Sequence, residues 1–118
     1  MVYNTQQKQL LLFGGWNGES RMNETWSYEN NEWMQLNPNN SPTARNHSYM
    51  IYDEKHKKAI LFGGHDGQNV FGDMWEFSNS QWKYWILSQL REYKMDIKLC
   101  IVLAIGCTVH ELENNKKK

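Results

Sequence analysis

A chain of 118 residues has room for one domain rather than several. Thirteen Lys and Arg balance thirteen Asp and Glu, so no net field steers the molecule toward nucleic acid or anionic lipid, and the closing Lys116-Lys117-Lys118 is too short to change that. Six Trp, six Tyr and four Phe supply apolar area for a small, aromatic-heavy core.

The chain opens on Met1 to Lys8, a stretch without the apolar centre of a signal peptide. Secretion of the chain as written is not expected, and the compartment is left open with the cytoplasm favoured. Those first residues already belong to a repeat: the segment 1–36 returns as 50–85 at a constant displacement of 49. Leu12-Phe13-Gly14-Gly15 becomes Leu61-Phe62-Gly63-Gly64, Trp26 becomes Trp75 and Trp33 becomes Trp82. A period near 50 is the mark of an array built from one supersecondary unit.

In the second unit, Tyr49 to Tyr52 and Ala59 to Phe62 are short apolar runs bounded by polar turns, which predicts two strands buried on both faces. Asp73 to Phe77 alternates and predicts a half-buried third strand. Ser78-Asn79-Ser80 is turn chemistry, and Gln81 to Trp85 makes a fourth strand. Each unit is thus expected to be a four-stranded antiparallel meander, oiliest at its first two strands and wettest at its last. That gradient suits a propeller blade. The glycine pairs Gly14-Gly15 and Gly63-Gly64 are expected to end the second strand and, lacking Cβ, to seat an aromatic ring, with Phe77 and Trp82 as the candidates in the second unit.

These features resemble the kelch repeat. The apolar strand ending in double glycine is followed by Asn23-Glu24-Thr25-Trp26-Ser27-Tyr28 with Trp33, and again by Gly72-Asp73-Met74-Trp75-Glu76-Phe77 with Trp82. Pro42-Thr43-Ala44-Arg45-Asn46-His47-Ser48 is similar to the Pro, Arg and His/Ser linker that precedes a kelch blade. The resemblance implies an all-β fold of two four-stranded antiparallel kelch-type blades, an incomplete propeller. Its parts are blade 1 (1–36), an interblade linker (37–48), blade 2 (49–85) and a non-repeat C-terminal extension (86–118). Gly14, Gly15, Trp26, Trp33, Gly63, Gly64, Trp75 and Trp82 form the structural motif.

Beyond Trp85 the pattern is lost. Ile86, Leu90, Tyr93 and Ile97 fall at helical spacing, and an apolar run from Leu99 to Val109 follows. That run is far short of the roughly 20 residues of a membrane span. A cap over the second blade and a sequence left by a truncated or frame-shifted reading frame remain as readings, the latter favoured. Cys100 and Cys107, seven apart, are not placed to bond within one regular element and do not identify a compartment.

Chemistry is sparse. Histidines 47, 56, 65 and 110 share no metal-ligand spacing, and no nucleophile elbow, phosphate loop or zinc motif is present. No enzyme activity, metal or cofactor is expected. Recognition is better placed on the long segments 16–22, 37–46 and 65–71, which would display Trp16, Asn17, Arg21, Arg45, His65, Asp66 and Asn69 at one end of the sheets. The competing reading has Trp16 packed on its own blade and Arg45 holding the linker. The resemblance implies a non-catalytic protein-interaction scaffold with an unidentified protein partner. The runner-up is a fragment of a secreted galactose-oxidase-like propeller that binds or acts on carbohydrate. Exposed blade faces would also permit self-association, three chains giving six blades.

Overall fold

The computed structural model describes residues 1–85. The helix expected from Ile86 to Ile97 and the apolar run after it lie outside the described residues. Within 1–85 the chain is all-β, with no helix. Strands β1 (Val2–Asn4), β2 (Gln9–Trp16), β3 (Arg21–Glu29) and β4 (Glu32–Leu36) form one antiparallel sheet in chain order. Strands β5 (Tyr49–Asp53), β6 (Lys58–Phe62), β7 (Met74–Ser78) and β8 (Gln81–Tyr84) form a second, also in chain order.

The repeat extends from sequence to register. Val2 faces Leu11 and Ile51 faces Ile60; Leu12 faces Trp26 and Leu61 faces Trp75; Tyr28 faces Trp33 and Phe77 faces Trp82. Backbone conformations repeat too. Asn30-Asn31 and Asn79-Ser80 all have positive φ, as a two-residue hairpin turn that follows the strand twist requires. Lys8 and Lys57, each just before a second strand, are left-handed as well.

Successive side chains on a strand point to opposite faces. In the first sheet this register puts Val2, Leu11, Phe13, Thr25 and Leu36 on one face, and Tyr3, Leu10, Leu12, Trp26, Tyr28 and Trp33 on the other. In the second sheet Tyr52, Ala59, Leu61, Trp75, Phe77 and Trp82 share a face. The core is built where the first of these meets the last: Leu11 and Phe13 pack with Ala59, Leu61, Phe77 and Trp82, flanked by Val2, Leu36, Met50, Tyr52 and Trp75. The sheets therefore stack by unlike faces. Trp82 is the pin, its ring 5.1 Å from Phe13 and 4.9 Å from Phe77, and its indole N–H donating to Thr25 Oγ1 at 2.9 Å. A buried indole donor needs such a partner.

Two expectations are corrected. The first strand of each unit is not buried on both faces: β5 runs from an exposed Tyr49 through half-buried residues to Asp53, and only β6 has a fully buried centre. A first strand has one neighbour, so water reaches its open edge. The glycine pairs also do not seat a ring. A Cβ on Gly14 would lie 2.5 Å from the Arg45 carbonyl, and one on Gly64 would lie 2.7 Å from that of Asn46. What approaches Gly14 and Gly64 is the backbone of the linker, while Gly63 meets the Phe71 carbonyl. Gly63-Gly64 follows the end of β6, whereas β2 carries Gly14-Gly15 within it, through a bulge, to Trp16.

The linker thus becomes a strap across both sheets. Arg45 N–H donates to the Met22 carbonyl, and the Arg45 carbonyl accepts from Gly15 N–H at 2.9 Å. Asn46 exchanges both backbone hydrogen bonds with His65, each at 3.0 Å.

Candidate functional site

Arg45 is placed by this strap, and it is not displayed as the sequence suggested. It is 1% exposed. Its guanidinium grips Asp73 through both terminal nitrogens, at 2.5 and 2.9 Å. It also donates to the Gly63 carbonyl, the Thr43 carbonyl and Thr43 Oγ1, at 3.0, 3.0 and 2.9 Å. All five N–H donors of the fork are used, and the group lies over the Phe71 ring, 4.1 Å from its centre. Burying a charge is tolerable only with such complete pairing. Burial works against ionisation of Asp73. The hydrogen bonds from Arg45 and Trp75, with the Arg45 charge, outweigh it and hold the carboxyl below its ordinary range. Arg45 is a structural lock, the reading that competed with recognition.

Asn17, Asp66 and Asn69 are also engaged by their own loops. Asn17 Oδ1 accepts from the N–H groups of Glu19 and Ser20 at 2.9 and 2.8 Å. Its counterpart 49 residues on, Asp66, accepts from Gln68 and Asn69 at 2.8 and 2.7 Å, and from the Asn69 amide at 3.0 Å. Asx turns of this kind set a loop's shape. The Asn69 side-chain bond, then the backbone N–H groups, lower the Asp66 carboxyl to about 2.

Trp16, Arg21 and His65 remain as a surface group at one end of the sheets. Trp16 is 49% exposed, and the Arg21 guanidinium lies over its ring at 4.7 Å. The Arg21 fork presses on Gly67 so closely that a Cβ there would sit 2.5 Å from Nη1. The first loop's arginine thereby packs on the second loop. His65 meets His47, Nε2 to Nδ1, at 2.8 Å. Gly67 N–H donates to His65 Nδ1 at 3.2 Å, and this contact assigns the neutral His65 ring the Nε2–H tautomer, with Nε2 as donor to His47 Nδ1.

Two members of this surface escape a reading of the residues alone. His47 is 18 positions from His65, and only the strap brings them together. Val70, bridged to His65, is 88% exposed. Its counterpart Arg21 gives no hint of an apolar residue there. Among the described residues no group of three or more His, Cys, Asp or Glu could hold a metal ion, and no helix is long and apolar enough to cross a membrane. Compared with models of protein families and with curated proteins, the chain matches none.

Proposed function

We propose that residues 1–85 are two consecutive kelch-type blades of a β-propeller, and that they act as a non-catalytic scaffold binding a protein partner through the end that bears Trp16, Arg21, His47, His65 and Val70. Support for the blade reading comes from two like four-stranded meanders, stacked by unlike faces, each with its last strand the most exposed. The observation that carries the binding reading is an exposed Trp16 ring fixed beneath Arg21, with a bare Val70 on the second loop, whose Gly67 the Arg21 fork packs against. Aromatic and arginine side chains held on rigid turns lose little entropy on contact and dominate protein interfaces.

A photo-crosslinking residue placed at Val70 tests this. A discrete protein adduct that Trp16→Ala abolishes, with the fold intact by circular dichroism, is the expected result. Absence of any adduct, or one indifferent to Trp16→Ala, would contradict the reading. Arg45→Ala is unsuited to the purpose, because it attacks the strap rather than the surface.

A further inference from the structure

The loops between the second and third strands of the two sheets share one turn but differ in chemistry. Asn17 N–H donates to the Ser20 carbonyl at 3.2 Å, and Asp66 N–H donates to that of Asn69 at 3.1 Å. In each loop the Asx side-chain oxygen accepts two further backbone N–H groups. The glycine that follows stands at nearly the same angle, φ of +101° for Gly18 and +99° for Gly67. Asn17-Gly18 is the one Asn-Gly pair of the chain.

An asparagine before glycine loses its amide without an enzyme when the turn allows it. The glycine's main-chain nitrogen adds to the side-chain carbonyl carbon, ammonia leaves, and water then opens the cyclic imide to aspartate or isoaspartate. Glycine favours the step because no Cβ obstructs the approach. At Asn17 three features of the turn act in the same direction. The N–H groups of Glu19 and Ser20, at 2.9 and 2.8 Å from Oδ1, stabilise the negative charge that this oxygen takes as the nitrogen adds. Gly18 N–H meets no acceptor among the described residues, so its nitrogen is free to give its proton to water and attack. Residues 16–20 are exposed, and a Cβ at Gly18 would meet nothing within 4 Å.

The second loop shows the converse. Gly67 N–H is engaged by His65 Nδ1 at 3.2 Å, where the first loop has Trp16, whose indole offers no acceptor. The Arg21 fork covers Gly67, and the ionised Asp66 is a poor target for a nucleophile. We infer that Asn17-Gly18 is a self-modification site, where the folded loop converts Asn17 to aspartate and isoaspartate through a cyclic imide. Asp66 displays the fit of the aspartate product, since a carboxylate there takes the same two turn bonds. Isoaspartate lengthens the main chain by one methylene and opens the turn next to Trp16. The conversion needs no partner, and only its effect on affinity for one rests on the proposed function.

The test holds the full chain in mildly alkaline buffer, folded or in concentrated urea, and follows conversion at position 17 by peptide mass. Conversion in the folded chain is expected to run at least as fast as in urea. A folded rate below the urea rate would overturn the inference, because the turn would then protect the amide. Asp66→Asn adds an Asn-Gly pair in the same turn with its glycine nitrogen engaged. In the folded variant, checked by circular dichroism, position 17 is expected to convert about three- to tenfold faster than position 66, the factor that one hydrogen bond to the attacking nitrogen supplies. The two rates should converge in urea. Equal rates in the folded variant would also overturn the inference, since a free nitrogen would then confer nothing. The unsubstituted chain decides the first comparison whether or not the variant folds.

Discussion

At the scale of single residues, two side chains hold the sheets together by different physics. Trp82 contributes mainly by burial against Phe13 and Phe77, with its indole satisfied by Thr25. Thr25→Val keeps the shape and removes the acceptor, so it is expected to cost about 1–3 kcal/mol, the penalty for a buried donor left unpaired. Urea unfolding measures it, and a neutral result would mean that water reaches the indole. Arg45 acts through charge. Because Asp73 titrates below its ordinary 3.8 in the folded chain, its contribution is fully present above that value and is lost as pH falls through the folded one. Asp66, at about 2, shifts in the same direction. Stability should thus stay level down to about pH 4 and drop below it, with a shallower drop in Asp73→Asn. Unfolding midpoints across that range check the sign. The sequence offered Arg45 equally to recognition and to the strap, because an arginine in a polar linker carries no local sign of burial. Only Asp73, 28 positions away, decides it.

At the scale of elements, most of the architecture was legible. Short apolar runs between turn residues marked the strands to within a residue or two in the second sheet: Ala59 to Phe62 against Lys58–Phe62, and Gln81 to Trp85 against Gln81–Tyr84. The role of the paired glycines was half legible. Their need for positive φ follows from composition, but the backbone that crowds Gly14 and Gly64 comes from the strap, whose path no local pattern reveals. Gly64→Ala is expected to destabilise strongly, by about 2 kcal/mol or more, since φ of +91° and the Asn46 carbonyl both oppose a methyl group. Gly72→Ala, with open space and ordinary φ, should be near neutral. Thermal midpoints of the pair make the comparison. In the hairpin turn of the second sheet, Ser80 occupies a left-handed position that Asn31 fills in the first. Asn tolerates that conformation better than Ser. Ser80→Asn should therefore stabilise the chain, by about 0.5 kcal/mol, as a rise in the urea midpoint.

At the scale of the whole described region, the 49-residue displacement implied two like units, and the two sheets share a register throughout their common strands. Which faces would meet was not legible. Both faces of each second strand read as apolar, and only the pairing of Leu11 and Phe13 with Leu61 and Trp82 settles the direction of stacking. The same limit applied to the candidate site. Trp16 and Arg21 could be placed at one end from topology alone. The contact of His47 with His65, and the packing of Arg21 on Gly67, depend on how the strap and the second loop cross.

Nuclear Overhauser contacts in the full chain test the stacking most directly. The predicted result is cross-peaks from the Trp82 indole N–H to the Thr25 methyl group and from the Trp82 ring to Phe13. Strong contacts within each sheet, without any between Trp82 and either Phe13 or Thr25, would contradict the account.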